Sequence, residues 1–362
     1  MKKNFRWGIF GTGAVSAKFV AGLSAAQGMS AVFVASRSQD RADDFASSMG
    51  IPYAIEGYAK AAKFGNVDAI YIATPPSEHC EHALLCIESG IPVLIEKPLA
   101  TSREDVIRII EAAARFSTFA MEAMWTRFIP AAQLLKAEIA GGTVGEVRMI
   151  SGSFGTSKTP DLGSGSFDPK RGGGSLSHLG VYPLSLAQWM FGAPSQLHAL
   201  GRIGDTGVDE DVAFQLQYQD RITASFYCSI RSWSSNDFQV MGTEGLASFH
   251  GSIVRPHGLR ISRQKPLLNV STSASWRTRL REHSLTHKLA QLTGLSSRKG
   301  RRTVNCSYSG NGYHYQAEEV RACVYRGDLE SKTMPLSDSL SVISTVDTIR
   351  RKISEKERGV SQ

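Results

Sequence analysis

Cysteine is scarce in this chain of 362 residues, with only Cys80, Cys86, Cys228, Cys306 and Cys323. Five is an odd number, and no two of them form a CxxC pair. This excludes a disulfide scaffold and a dithiol redox motif, and it fits reduced thiols in a cytoplasmic protein. No close cysteine–histidine cluster has zinc-binding spacing, so no metal is expected. Long apolar runs are also missing: none reaches the roughly 18 residues that a membrane helix needs. Lys2 and Lys3 precede a mildly apolar run that imitates a secretory leader. Its three glycines and Arg6 make it too polar for a leader's core.

Acidic residues are nearly absent from one long stretch. Between Arg255 and Arg302 there are twelve lysines or arginines and a single acid, Glu282, so that stretch carries +11. The rest of the chain carries −3, against a net charge of +8. The basic character therefore belongs to one segment rather than to the whole surface. Trp276 lies in it, and Arg277 to Leu295 could form a short helix with Leu280, Leu285, Leu289 and Leu292 partly on one face. No nucleic-acid fold signature accompanies the charge. A solvated insertion at about 255–303 is the expected reading, and neither a nucleic acid nor a membrane is expected as partner.

What remains is ordinary globular material, with 42% hydrophobic and 20% charged residues. Its length predicts two domains. Up to about residue 120, short β-branched runs alternate with helical stretches. Strands are predicted at Phe5–Phe10, Ala31–Ala35, Asp68–Ala73 and Pro92–Ile95. Helices are predicted at Ala14–Ala26, Asp40–Ser48 and Ser102–Arg115, with one more capped by Ser77. This alternation predicts a parallel sheet covered by helices. From Val147 the strands lengthen and alternate, with Gln219-Asp220 as a hairpin turn and two closing helices at Asn311–Tyr325 and Leu336–Lys352. That pattern predicts a second, α+β domain with a mostly antiparallel sheet.

The strongest local motif is Gly11-Thr12-Gly13-Ala14-Val15-Ser16, which follows the first strand and opens a helix. Gly11 permits the tight turn, Gly13 lets backbone approach a pyrophosphate, and Ser16 replaces the usual third glycine. The second strand ends in Ser36-Arg37. An NAD site would place an acid there for the ribose 2′-hydroxyl. A hydroxyl and a guanidinium instead suit the 2′-phosphate of NADP, which is the expected cofactor in preference to NAD.

Further motifs follow in order: Ala73-Thr74-Pro75-Pro76 with His79, then Glu96-Lys97-Pro98, then Met121 to Pro130, and near the end Gly312-Tyr313 and Met334-Pro335-Leu336. Together they resemble the glucose–fructose oxidoreductase/inositol dehydrogenase (Gfo/Idh/MocA) family. The run through Trp125, Thr126 and Arg127 is similar to the branch holding dimeric dihydrodiol dehydrogenase, NADP-dependent D-xylose dehydrogenase and glucose–fructose oxidoreductase. The resemblance implies a Rossmann domain at 1–122 and a substrate-binding α+β domain at 123–362. The open sheet of the second domain would pair subunits into a dimer or tetramer. It implies hydride transfer between a nicotinamide and a sugar, polyol or related diol, with the active site between the domains. It implies that Lys97 is catalytic, that Tyr182 is the general acid/base, and that Thr74, Pro75, His79, Glu96, Lys97, Trp125 and Arg127 lie on the cofactor side.

The chemistry suits those residue types. Alcohol oxidation needs a base at the hydroxyl, and a free tyrosine, with a pKa near 10, is a poor one at neutral pH. A neighbouring ammonium such as Lys97 is expected to stabilise the phenolate and lower that value. Gly172-Gly173-Gly174 leads into Ser175, a candidate helix cap. His178 and Tyr182 follow four residues apart, on one helical face. Most relatives carry an aspartate where His178 stands. A neutral histidine can hydrogen-bond a substrate hydroxyl but supplies no negative charge. His178 is therefore expected to orient substrate or act as an auxiliary acid/base. The alternatives are a keto-sugar reductase of a biosynthetic pathway and an NADP-binding protein without turnover.

Overall fold

The structure, a computed structural model, describes residues 4–264 and 300–360. Six strands form the first sheet: β1 (Phe5–Phe10), β2 (Met29–Ser36), β3 (Tyr53–Glu56), β4 (Ala69–Ile72), β5 (Val93–Glu96) and β6 (Ala120–Ala123). All neighbours pair parallel, in the order β3-β2-β1-β4-β5-β6. The helices between them are α1 (Ala14–Leu23), α2 (Gln39–Met49), α3 (Tyr58–Ala62), α4 (His79–Glu88) and α5 (Arg103–Arg115). β4, β5 and β6 are buried along their whole length, Glu96 of β5 and Glu122 of β6 included.

Local signals set most boundaries. Ser102 caps α5 by accepting the Asp105 N–H at 3.1 Å, with Glu104 and Asp105 in the first turn. Ser77, expected to cap the preceding helix, does not. Pro75 and Pro76 start a 3₁₀ turn over Pro76–Glu78, and α4 begins at His79 with no side-chain cap. Proline at the first position favours that tighter turn, and it displaces the helix start by one residue.

The second sheet has eight strands: β7 (Val147–Gly155), β8 (Gln196–Ile203), β9 (Asp209–Tyr218), β10 (Ile222–Ser229), β11 (Phe238–Gly242), β12 (Gly245–Ser252), β13 (Arg255–Arg263) and β14 (Arg301–Asn305). Their order is β14-β13-β12-β11-β7-β10-β9-β8, and β7 with β10 is the one parallel pairing. The Gln219-Asp220 turn has φ of 51° and 55°, the doubly left-handed geometry that matches strand twist in a tight hairpin. Along β9 and β10 one face is buried through Phe214, Leu216, Ala224 and Phe226, while the other leaves Tyr227 exposed, as are Met149 on β7 and Leu200 on β8.

Both ends of the basic stretch are strands of this sheet. Arg263 donates to the Thr143 carbonyl, Arg302 pairs with Glu138, and Arg255 donates to the Gly310 carbonyl. The insertion expected from Arg255 onward thus includes β13 and β14. The candidate helix at 277–295, with Trp276, falls outside the described residues.

Four more helices complete the chain: α6 (Pro130–Ala140), α7 (Val181–Phe191), α8 (Tyr313–Arg326) and α9 (Leu336–Val360). α8 returns to pack on α1, and α9 packs on α5, α7 and β8. Among the described residues, no helix is long and apolar enough to cross a membrane. All five cysteines are free thiols.

Candidate active site

In a sheet ordered 3-2-1-4-5-6, the crevice for a ligand opens where chain direction reverses, between β1 and β4. The Gly11–Ser16 loop sits there. Gly11 has φ +101°, and a Cβ on it would lie 2.7 Å from the Ala73 carbonyl oxygen at the end of β4. Gly13 is the N-cap of α1 and makes no side-chain cap. A Cβ on it would meet nothing within 4 Å. The first N–H groups of α1, around Gly13, Ala14 and Val15, therefore face open space at the positive end of the helix dipole. Thr12 is half-buried beside them. Ser36 is buried at the end of β2, and the adjoining Arg37 is exposed, with its guanidinium 3.6 Å from Glu78. A free helix N-terminus, a vacant glycine cradle and an exposed arginine beyond the second strand are what a dinucleotide phosphate site requires.

A second cluster gathers residues from four distant segments. Lys97, just after β5, donates from Nζ to the His178 carbonyl at 2.9 Å and lies 5.1 Å from the centre of the Tyr182 ring. Trp125 Nε1 donates to the Tyr182 hydroxyl at 3.4 Å. Phe154 meets the Tyr182 ring edge-on, with centroids 5.5 Å apart. Burial pulls the Lys97 ammonium down to about 8, while Glu96 and Glu122 beneath it push the other way. Burial, then the charges of Lys97 and Lys158, bring His178 down to about 3, so its ring is neutral at pH 7. Tyr182 is raised, first by burial and then by Glu96. The expectation that Lys97 would lower it does not match this geometry: the ammonium lies over the ring and bonds a carbonyl instead of the phenol oxygen.

The description "Oxidoreductase family, NAD-binding Rossmann fold" fits residues 5–123, and "GFO/IDH/MocA C-terminal domain" fits residues 132–248. The chain belongs to the GFO/IDH/MocA oxidoreductase family. Among its relatives are the trans-1,2-dihydrobenzene-1,2-diol dehydrogenases of Macaca fascicularis, 32% identical over 353 residues, and of Sus scrofa, 32% identical over 354, each match covering 96% of both chains. The fold is also that of KijD10, a 3-ketoreductase from Actinomadura kijaniata solved with NADP and TDP-benzene, with a TM-score of 0.78, 22% identity and coverage of 97% and 98%.

Within this GFO/IDH/MocA oxidoreductase, several expected cofactor contacts serve the protein itself. His79 is buried, its Nδ1 2.9 Å from the Pro98 carbonyl and its Nε2 2.9 Å from the Thr74 carbonyl. It ties the turn after β4 to the turn after β5. Burial lowers its pKa. The Thr74 hydroxyl is 2.9 Å from His82 Nδ1, and Pro75 caps the 3₁₀ turn. Glu96 points into the core, bonded to the Tyr71 hydroxyl and to the Lys97 N–H. Arg127 is fully buried and its guanidinium bonds Ser185, Thr333 and Asp338, so it joins α7 to α9. These contacts within the protein account for the burial of Arg127 and Glu96. Trp125 stays in the cluster, stacked on Tyr313 with centroids 4.6 Å apart.

The helix that carries His178 also differs from expectation. Leu176–Gly180 is a π-helical turn that runs into α7, and Ser175 does not cap it. The cap is Asp209, whose Oδ2 accepts the Leu176 N–H at 2.7 Å and the Ser175 hydroxyl at 2.9 Å. A Cβ on Gly174, at φ +112°, would lie 2.3 Å from Asp209 Oδ1, so only glycine admits that carboxylate. Pro183, five residues past His178, has no N–H to give its carbonyl, which accepts Lys97 instead. Arg350 of α9 reaches the same turn through Asp209, Ser177 and the Gly173 carbonyl. Phe154, Tyr313, Asp209 and Arg350 carry no local sequence signal for this role. Only Gly312-Tyr313 stood out, as part of a longer resemblance. Among the described residues, no group of three His, Cys, Asp or Glu is placed to hold a metal.

Proposed function

We propose that this enzyme oxidises or reduces a sugar, polyol or cyclic diol at a CH–OH or carbonyl carbon, with NADP as cofactor. The observation that carries the reading is the cluster of Lys97, His178, Tyr182 and Trp125, to which β5, the π-turn and the Trp125 segment all contribute. NADP, when bound, supplies or takes the hydride at nicotinamide C4. The backbone at Gly13, Ala14 and Val15 holds the pyrophosphate. Ser36 and Arg37 meet the 2′-phosphate, for which Arg37 gives up Glu78. The substrate oxygen accepts hydrogen bonds from Lys97 Nζ and from the Tyr182 hydroxyl. Tyr182, kept as a neutral phenol by burial, donates a hydrogen bond to the developing alkoxide and keeps its own proton. Lys97 is the group whose proton leaves nearest neutral pH, so its amine takes the substrate's proton in oxidation and its ammonium gives it back to the alkoxide in reduction. A firmly protonated tyrosine also favours the second reading, a keto-sugar reductase. The names of the relatives agree with both substrate classes.

The test is a turnover screen with NADP against matched alcohols and ketones, followed at the reduced cofactor's absorbance. Wild type should turn over at least one pair. Tyr182→Phe should lose about 10²-fold or more in kcat. Gly13→Ala should melt like wild type, because its Cβ enters open space, yet bind NADP at least about tenfold more weakly. Wild type and Tyr182→Phe proving equally inert while NADP binds would leave a cofactor-binding protein without turnover. The open sheet face with Met149, Leu200 and Tyr227 is where a second copy docks in this reading, in the cytoplasm, and a monomer in sedimentation of the full chain would remove that part.

A further inference from the structure

The cleft side of the Lys97 cluster is short of negative charge. Among the described residues, the carboxylates that act on Lys97 are Glu96, bonded to Tyr71, and Glu122, which accepts the Leu99 N–H at 3.2 Å. Close to Lys97 lies Lys158, four residues beyond Phe154 on the segment that continues β7. Lys158 is exposed, and its Nζ donates to the Ser166 hydroxyl at 2.7 Å. The neighbouring Gly165 carbonyl holds the His178 ring. Lys158 and Lys97 are close enough for each ammonium to act on His178 and for Lys158 to act on Lys97. Among the described residues, neither lysine makes an ion pair with a carboxylate.

The family resemblance implies a carboxylate at position 178, where this chain has histidine. Here the ring there is neutral, and its Nε2 is buried with no hydrogen-bond partner. A buried polar atom without a partner costs free energy until a ligand satisfies it. Two ammonium groups that both act on one uncharged ring leave the local positive charge uncompensated. Among the described residues no carboxylate acts on Lys158, which burial alone lowers, and the loop acids Asp161 and Asp168 accept the Gly163 and Lys170 N–H groups.

We propose that the substrate is an anionic polyol, a sugar acid whose carboxylate binds Lys158 and whose hydroxyl donates to His178 Nε2, while Lys97 and Tyr182 take the reacting oxygen. The proposal rests on the oxidoreductase reading and narrows its substrate class. A monoanionic carboxylate matches a single ammonium flanked by one hydroxyl. A phosphate dianion would call for more donors than this site offers.

The experiment pairs each acid with its neutral counterpart: glucuronate with glucose, galacturonate with galactose, and gluconate with sorbitol. Glucose 6-phosphate is added as the phosphate arm. Binding to the NADP-loaded protein is read by calorimetry, and kcat/KM by cofactor absorbance. At least one acid should bind roughly tenfold or more tightly than its neutral partner, the size of one charge-assisted contact. Lys158→Gln should abolish that advantage through KM rather than kcat. His178→Asp should reverse it in favour of the neutral sugar. Equal affinity for acid and neutral members of every pair overturns the proposal, as does an advantage that survives Lys158→Gln. Preference for glucose 6-phosphate over every acid overturns the carboxylate assignment. Failure to bind NADP counts against the parent reading instead. In that case the acid-against-neutral comparison on the cofactor-free chain, with and without Lys158→Gln, still decides the charge preference.

Discussion

Lys97→Met is expected to lower kcat by about 10³-fold in both directions, within the 10²–10⁴ range of a general acid–base group. The shape of the pH dependence is as diagnostic as the size. Burial brings the Lys97 ammonium down from its ordinary value of 10.5 to about 8, against the pull of Glu96 and Glu122. Oxidation needs the neutral amine, so its rate should rise with pH through about 8 and level off above. Reduction needs a protonated donor, so its rate should be flat below about 8 and lose the Lys97 contribution above it. Tyr182 lies too high to set either limb in this range. Lys97→Arg keeps the positive charge but does not titrate here, so it should weaken turnover and erase the limb near 8. The two variants thus separate a charge that merely holds the substrate from a group that moves its proton. A rising limb near 8 that persists unchanged in Lys97→Arg would assign the proton step to another residue.

The parts of this site legible in the sequence are those carried by contiguous residues. Gly11 to Ser16 and Glu96-Lys97-Pro98 are each bounded by a strand whose apolar run marks where it ends, and the structure places them at strand ends. The parts not legible are long-range pairings. Asp209 caps the π-turn from 33 and 34 residues away, and Arg350 reaches Asp209 across 141 residues. A helix starting at Ser175 was the natural expectation, because serine before an apolar run is the local cap signal. The carboxylate of Asp209 outcompetes it, since it accepts two donors at once. β13 and β14 were hidden by their charge. Arginines that face neighbouring carbonyls or Glu138 look, in one dimension, like a solvated segment. Trp125 and Arg127 were read alike because two positions separate them. In the 3₁₀ turn at Trp125–Phe128 they take different directions, one to Tyr182 and one into the core.

That division makes Arg127→Ala the largest stability change expected in the molecule, a loss of about 3–5 kcal/mol. The guanidinium is wholly buried. Nε donates to the Ser185 hydroxyl at 2.9 Å, one terminal nitrogen to the Ser185 carbonyl at 2.9 Å, and the other to the Thr333 carbonyl at 3.1 Å and to Asp338 at 2.6 Å. Removing it leaves two carbonyls without that donor, Asp338 without its ion-pair partner, and the buried Glu122 with Lys97 alone. Glu122 already sits above its ordinary value because burial raises it, with Ser339 and Arg127 holding it down. Without Arg127 it rises further. A carboxyl raised in the folded state binds more protons there than in the unfolded chain, so stability falls as pH rises from its unfolded value through its folded one. The deficit of the variant against wild type should therefore widen as pH rises above the ordinary carboxylate range in urea unfolding curves. The double variant Arg127→Met with Asp338→Leu should recover part of the loss, because apolar packing replaces a pair whose desolvation is itself costly. These outcomes also decide where Arg127 belongs. A variant as stable as wild type that has lost NADP affinity would return the residue to the cofactor site, whereas an unstable one that binds NADP normally when folded fixes it as the bolt between α7 and α9.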